Sequence, residues 1–315
     1  MELEYAPTYR HCYAYPQLGC RLDLGLIRIG GMGLSNLLFV WARCLVQAKR
    51  YGLKRISPTW PQICGGPLLR NEMDLRTYHN LFIPTRDEVT GFRRLKLLAG
   101  SRWVPETQLG NPIPDDSIVA FYGIRGYLAP SLEYQELVRK ELLQIVRTEH
   151  KKAIKTGFSP SIALHVRLGD FGAGNHAEGN SRLDISWYIG ILKRLRENLG
   201  MLPASVFSDG TDEELAPLLA LDRVTRASFG SSIADIIGLS RARILITSGS
   251  TLSMWASFLG QMPTVWYPGR LYHPILKDTR REIETHLEIS AEFTEQCLDS
   301  LQRNLIIAPE EEQGD

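Results

Sequence analysis

Short apolar runs alternate with longer stretches of helical periodicity along most of the chain. Leu24 to Ile29 reads as a strand, a glycine turn follows, and Ser35 to Tyr51 then places apolar residues at helical spacing. That is one strand, turn and helix unit. The order returns with Ser161 to Val166 as a strand and Trp187 to Leu199 as a helix. Ser205 to Ser208 and Arg243 to Thr247 read as further strands, with Ser232 to Leu239 and Leu252 to Leu259 as helices. Repeated units of this kind predict an α/β protein: a parallel sheet with helices on both faces. Between Ile56 and Pro130 the Pro, Gly, Arg and aromatic residues break the periodicity, and no element is predicted there.

Ser131 to His150 predicts an amphipathic helix, and the polar stretch Lys151 to Pro160 ends in Ser-Pro. A boundary near residue 155 follows. The expected division is 1–155, 156–295, and a C-terminal segment 296–315 that carries the acidic tail after Ile307.

Composition narrows the function. Of 315 residues, Lys and Arg supply 36 and Asp and Glu 35, a net charge of +1, so no global field draws the chain onto nucleic acid. A polyanion would need a local site, and no nucleic-acid partner is expected. The five cysteines, Cys12, Cys20, Cys44, Cys64 and Cys297, are scattered and lack CxxC spacing, which argues against a disulfide framework and a zinc ribbon. A reducing, cytoplasmic setting is expected. The apolar stretch from Leu24 to Val46 is broken by Arg28, glycines and Arg43, too often for the roughly 20 apolar residues of a membrane span. The N-terminus lacks a basic signal region. No membrane span is expected, and peripheral association with a membrane stays open.

Chemistry gathers where predicted strands end. His165-Val166-Arg167-Leu168-Gly169-Asp170 closes a buried apolar strand with three ionisable residues, at the strand edge where parallel sheets hold ligands. Alternation sets His165 and Arg167 on one face, so imidazole and guanidinium could meet one phosphate. The alternative is a structural Arg167–Asp170 pair beside a core histidine. The glycine-rich loop Phe171 to Asn180, with His176 and Glu178, reads as an active-site loop or a solvated one. Ser208 and Asp209 end another strand, where Asp209 would meet a base or ribose or serve the turn. Ser248 to Ser253 opens a helix with hydroxyls and free amides suited to phosphate, Ser250 and Thr251 foremost, although ordinary capping needs only one hydroxyl. Gly30-Gly31-Met32-Gly33 permits close approach of backbone to a ligand, but it is not the dinucleotide G-x-G-x-x-G pattern.

Taken together, these segments resemble the α1,2- and α1,6-fucosyltransferases and their protein O-fucosyltransferase relatives. His165 to Asp170 is similar to the H-x-R-R-x-D motif, with Leu168 in place of the second arginine. Gly30 to Asn36, followed by Phe39, Ala42 and Arg43, resembles the α1,2-type G-G-L-G-N-Q-x-F motif, with Ser35 inserted. Phe207-Ser208-Asp209 and Ser248 to Trp255 resemble that family's F-S-D and S-S-x-S-x-W segments. The resemblance runs from about residue 24 to 268.

It implies a GT-B fold, two Rossmann-like domains facing a cleft, with a GDP-sugar in the C-terminal domain and a glycan acceptor mostly against the N-terminal one. The implied reaction is metal-independent, inverting transfer of L-fucose from GDP-fucose to a glycan hydroxyl, with no cofactor. Donor-binding residues would be Gly31, Gly33, Asn36, His165, Arg167, Ser208, Asp209, Ser250 and Thr251. Arg167 would neutralise the departing diphosphate, and Asp170, His176 and Glu178 stand as candidates for the base. The rival expectations are another sugar nucleotide as donor, or a nucleotide- or glycan-binding protein of the same fold without turnover.

Overall fold

A computed structural model describes residues 9–19, 22–65, 76–168 and 182–302. The chain forms two compact units, Met1–Ile154 with Gly230–Ala234, and Lys155–Phe229 with Asp235–Asp315.

In the first unit the strands β1 (Tyr13–Gln17), β4 (Lys54–Arg55), β6 (Trp103–Pro105) and β7 (Ile118–Tyr122) form a parallel sheet in the order β4-β1-β7-β6. The strand predicted over Leu24 to Ile29 is not part of it. Its residues 24–27 form a turn between β2 (Leu22–Asp23) and β3 (Arg28–Ile29), which join β5 (Gln62–Ile63) in a separate small sheet. All four strands of the β4-β1-β7-β6 sheet lie outside the predicted elements, and β1 among them holds a proline. Ala14 accepts from Ile56 N on the β4 side, and Pro16 points the same way past the last β4 residue, so its missing N–H removes no ladder bond.

Helix α1 (Leu34–Tyr51) follows the glycine loop as predicted and is buried on most of its circumference. Gly52, left-handed at φ 67°, ends it, with Lys49 and Arg50 in the last turn complementing the helix dipole. Helix α2 (Gly91–Gly100) lies in the region without predicted elements. The helix expected over Ser131 to His150 is divided: a 3₁₀ turn at Ala129–Tyr134, α3 (Gln135–Ile145) and α4 (Thr148–Lys152). Tertiary pairing breaks it, because Val146 bridges Phe82 and Arg147 N donates to Leu81 O.

The second unit contains the three predicted strands and the three predicted helices, and adds three further strands that the pattern did not give. Strands β8 (Ile162–Val166), β9 (Ala204–Ser208), β10 (Val224–Arg226), β11 (Ile244–Thr247), β12 (Thr264–Trp266) and β13 (Glu282–Glu284) are all parallel, in the order β10-β9-β8-β11-β12-β13. Counted within the unit this is 3-2-1-4-5-6, the Rossmann order, whose direction reverses between β8 and β11. Helices α5 (Ile185–Leu199), α6 (Asp212–Leu219), α7 (Ser232–Leu239) and α8 (Thr251–Gly260) alternate with the strands.

The period-2 alternation of β8 divides the core. Ile162, Leu164 and Val166 pack with Trp187, Tyr188 and Ile191 of α5, while Ala163 packs with Leu245 and with Ala256 of α8. Helix α9 (Ala291–Gln302) contributes Phe293 and Cys297 to the first of these clusters. The division expected at residue 295 therefore falls inside a helix of this unit. Among the described residues no helix is long and apolar enough to cross a membrane.

Candidate active site

The carboxyl ends of β8, β9 and β11 bring five of the expected residues together at the reversal point of the second unit: His165, Arg167, Ser208, Asp209 and Ser250, with Thr251 adjoining. Arg167 follows β8 and is held by Asp209, which follows β9, at 2.8 Å from Nη1 to Oδ2. The other carboxylate oxygen, Oδ1, accepts from Leu168 N at 2.8 Å. Asp209 thus clamps both the guanidinium and the backbone that carries it. Ser208 Oγ accepts from Gly210 N at 3.0 Å and tightens the same turn.

His165 lies deeper. At 5% exposure it shares its Nδ1 with Ser250 Oγ at 3.0 Å and Ser253 Oγ at 3.3 Å. Burial, with the nearby Arg167 charge, pushes its pKa down to about 4, so the ring is neutral at pH 7. Its geometry is that of a positioning group, fixing the start of α8 against the end of β8.

Ser250 caps that helix through Ser253 N, and Ser253 Oγ donates to Ser250 O at 3.0 Å. Thr247 Oγ1 donates to Ser253 Oγ and accepts from Gly249 N at 3.1 Å. Three hydroxyls and an imidazole therefore hold one turn of backbone. Gly249 is required in that turn: its φ is +84°, and a Cβ there would sit 2.5 Å from Arg270 Cβ.

Arg270, which follows β12, is 92% buried against this loop, and its charge reaches the Tyr188 hydroxyl. Tyr188 Oη and Ser248 Oγ are both buried without a hydrogen-bond partner, although each lies close to the other. Burial raises the Tyr188 pKa far above that of a free phenol, so it stays a neutral donor. Two unsatisfied hydroxyls beside a helix N-terminus and two arginines suit the oxygens of an anionic ligand. Leu168, where the resemblance leads one to expect a second arginine, is a core residue packed with Val166 and Leu215. Arg270 is a further cation of this region, as is Arg226, which donates to Gly210 O at 2.7 Å.

Ser248, Ser253, Tyr188 and Arg270 escaped assignment to individual roles in the sequence. Ser253 had a signal, a hydroxyl three residues after Ser250 on an otherwise apolar helix. Arg270, after Pro268-Gly269, had the charge-after-a-strand signal that marked Arg167.

Gly31, Gly33 and Asn36 lie in the first unit, at the start of α1. Gly33 occupies the N-cap position with no side-chain cap, and Leu34 N donates to Tyr78 Oη at 2.9 Å. Gly31 has φ +153°, and a Cβ there would run into Gln62 Oε1. Both polar atoms of the buried Gln62 amide, and Asn36 Oδ1, are without partners. Asp170, His176 and Glu178 lie outside the described residues. Among the described residues there is no group of three or more His, Cys, Asp or Glu side chains placed to hold a metal ion.

A Rossmann unit with an arginine clamp and buried hydroxyls at its reversal point is an arrangement suited to an anionic ligand. Residues 113–268, just under half of the chain, match the family model described as Glycosyl transferase family 11, a span that holds the segments His165 to Asp170, Phe207 to Asp209 and Ser248 to Trp255 but not Gly30 to Asn36. The matched span contains Arg167, Asp209, Ser250 and Thr251 and stops short of Arg270. No curated protein is found as a sequence relative. Among solved structures the chain is similar to fucosyltransferase NodZ from Bradyrhizobium, at 14% identity and TM-score 0.48 over 82% of this chain and 96% of that one. A NodZ α-1,6-fucosyltransferase soaked with GDP-fucose gives 14% and 0.47 over 83% and 97%. POFUT1 in complex with GDP gives 12% and 0.46 over 84% and 100%.

Proposed function

We propose that this glycosyltransferase-family chain moves L-fucose from GDP-fucose to a glycan hydroxyl, with inversion, α1,2-type linkage and no metal ion. The observation that carries the reading is Arg167, held by Asp209 at the reversal point of the Rossmann sheet, beside the α8 N-terminus. The choice of GDP-fucose rests on the motif resemblance.

In the proposed reaction the acceptor oxygen attacks C1 of the sugar from the face opposite the diphosphate. The C1–O bond breaks, its electron pair passes to the β-phosphate oxygen, and the acceptor proton passes to a base. Arg167 meets the charge that develops on the leaving group, which a guanidinium fork does without a metal. Arg270 adds positive potential, and Ser248, Thr251 and the first amides of α8 donate to phosphate oxygens. Ser250 and His165 serve chiefly by holding that loop. Gly31, Gly33 and Asn36 of the first unit are assigned as further donor contacts, and the base is placed among Asp170, His176 and Glu178. The proposed cytoplasmic location rests on the scattered cysteine spacing of the sequence.

The serines separate structure from binding. Ser250→Ala, which removes a cap, is expected to lower stability by ~1 kcal/mol in chemical unfolding. Ser248→Ala removes an unpartnered hydroxyl, so stability should hold while calorimetric GDP affinity falls about fivefold to tenfold. Equal affinities for Ser248→Ala and the unaltered protein would remove Ser248 from the donor site.

The reaction itself is tested by donor turnover after exhaustive EDTA treatment. GDP-fucose consumption should persist at close to its untreated rate. Loss of turnover with EDTA and its stoichiometric return with Mn²⁺ would replace the arginine with a held cation as the main neutraliser of the diphosphate.

A further inference from the structure

One face of the first unit exposes apolar and basic side chains side by side. The turn between β2 and β3 presents Leu24 and Leu26, the latter 69% exposed, and α2 presents Phe92 at 83%. Turn and helix form one surface, because Gly25 lies against Leu95 and Leu98, and buried Arg94 donates to Gly25 O and, at 2.7 Å, to Ser57 O. Trp103, just after the helix, is also exposed, with its ring edge-on to Tyr15 at 5.8 Å. Tyr15 in turn donates to Asp23 at the base of the same turn.

The charge here departs from the balance of the whole chain. Residues 91–103 hold Arg93, Arg94, Lys96 and Arg102 and no Asp or Glu. Arg94 is spent inward on the turn, while Arg93, Lys96 and Arg102 face solvent. Phe92, Arg93 and Lys96 share one exposed side of the helix, at i, i+1 and i+4. Large apolar groups standing clear of the surface, with cations beside them, match the two layers of a bilayer interface: acyl chain and anionic headgroup.

We propose that this face docks on an anionic lipid bilayer surface, with Phe92 and Leu26 entering the interface and Arg93, Lys96 and Arg102 on the headgroups. It is independent of the reaction proposed above. A nucleic acid would use the cations and leave Leu24 and Leu26 idle. A purely hydrophobic protein partner would leave the local excess of positive charge unmatched.

The test is co-sedimentation of the full chain with vesicles of phosphatidylcholine alone, or with about one-third phosphatidylglycerol. Binding is expected only to the anionic vesicles, and added salt should weaken it. Two double variants, Leu26→Ser with Phe92→Ser and Arg93→Glu with Lys96→Glu, should each reduce vesicle binding about tenfold or more, with melting temperature unchanged. No binding of the unaltered protein to anionic vesicles would overturn the proposal. So would unaltered binding by both double variants, or a lipid-free dimer in gel filtration that the Leu26→Ser, Phe92→Ser variant dissolves.

Discussion

Arg167→Ala is expected to reduce donor turnover about a hundredfold or more, a loss of ~2–4 kcal/mol of transition-state stabilisation. Arg167 is fixed before any ligand arrives, since Asp209 holds both its Nη1 and the following backbone amide. That preorganisation makes its charge available to the leaving group without reorientation. Arg167→Lys should recover little, because an ammonium cannot accept the clamp of Asp209 and still present a planar fork. Steady-state rates on folded protein check this. A variant with near-normal turnover would move leaving-group stabilisation to another residue.

The second large effect is a pH dependence carried by His165. Its folded pKa of about 4 lies below the usual 6.5, so the unfolded chain takes up a proton that the native state refuses. Its contribution is complete above pH 6.5 and is lost as the pH falls towards 4, by ~3 kcal/mol. Two carboxyls work in the opposite direction. Burial raises Asp235 to about 6 and Glu282 to about 7, so their contributions are present at low pH and fade as the pH rises through those values. The whole-protein profile therefore mixes opposing slopes, and a variant is needed to isolate the histidine. His165→Asn keeps a polar atom near the Nδ1 position without titrating. The stability advantage of the unaltered protein over this variant should shrink by ~3 kcal/mol between pH 7 and pH 4 in denaturant unfolding. A pH-independent difference would mean that His165 is solvated enough to protonate in place.

Much of the second unit was legible because its principal strands are short apolar runs that end abruptly in polar residues. Ile162 to Val166 and Ile244 to Thr247 carry little that could fit a surface element. In the first unit the same reasoning picked out Leu24 to Ile29 and gave no element to Tyr13–Gln17, an aromatic run whose proline hides the pattern of a strand. The helix break at Val146 was likewise invisible, because it depends on Phe82, 64 residues earlier in the chain.

The site divides in the same way. Strand ends identified Arg167, Ser208, Asp209 and Ser250, but not how they join: alternation suggested a shared phosphate for His165 and Arg167, whereas burial commits His165 Nδ1 to two serines. The partner of Arg167 considered from sequence was the neighbouring Asp170. Among the described residues Arg167 pairs with Asp209, which strand pairing of β8 with β9 brings beside it, while Asp170 lies outside them. Buried hydroxyls such as Ser248 and Tyr188 have no linear signature, since only packing leaves them unsatisfied.

On the proposed function, the β8 to β11 reversal point holds a guanosine diphosphate. Thermal unfolding in the presence of GDP, UDP or dTDP tests it most directly, repeated on Arg167→Ala. GDP should stabilise the unaltered protein, by about 2.7 kcal/mol at a hundredfold excess over its Kd, with UDP and dTDP well below it and the Arg167→Ala response much reduced. A protein that GDP does not stabilise, or one stabilised equally by GDP and UDP, would contradict the account.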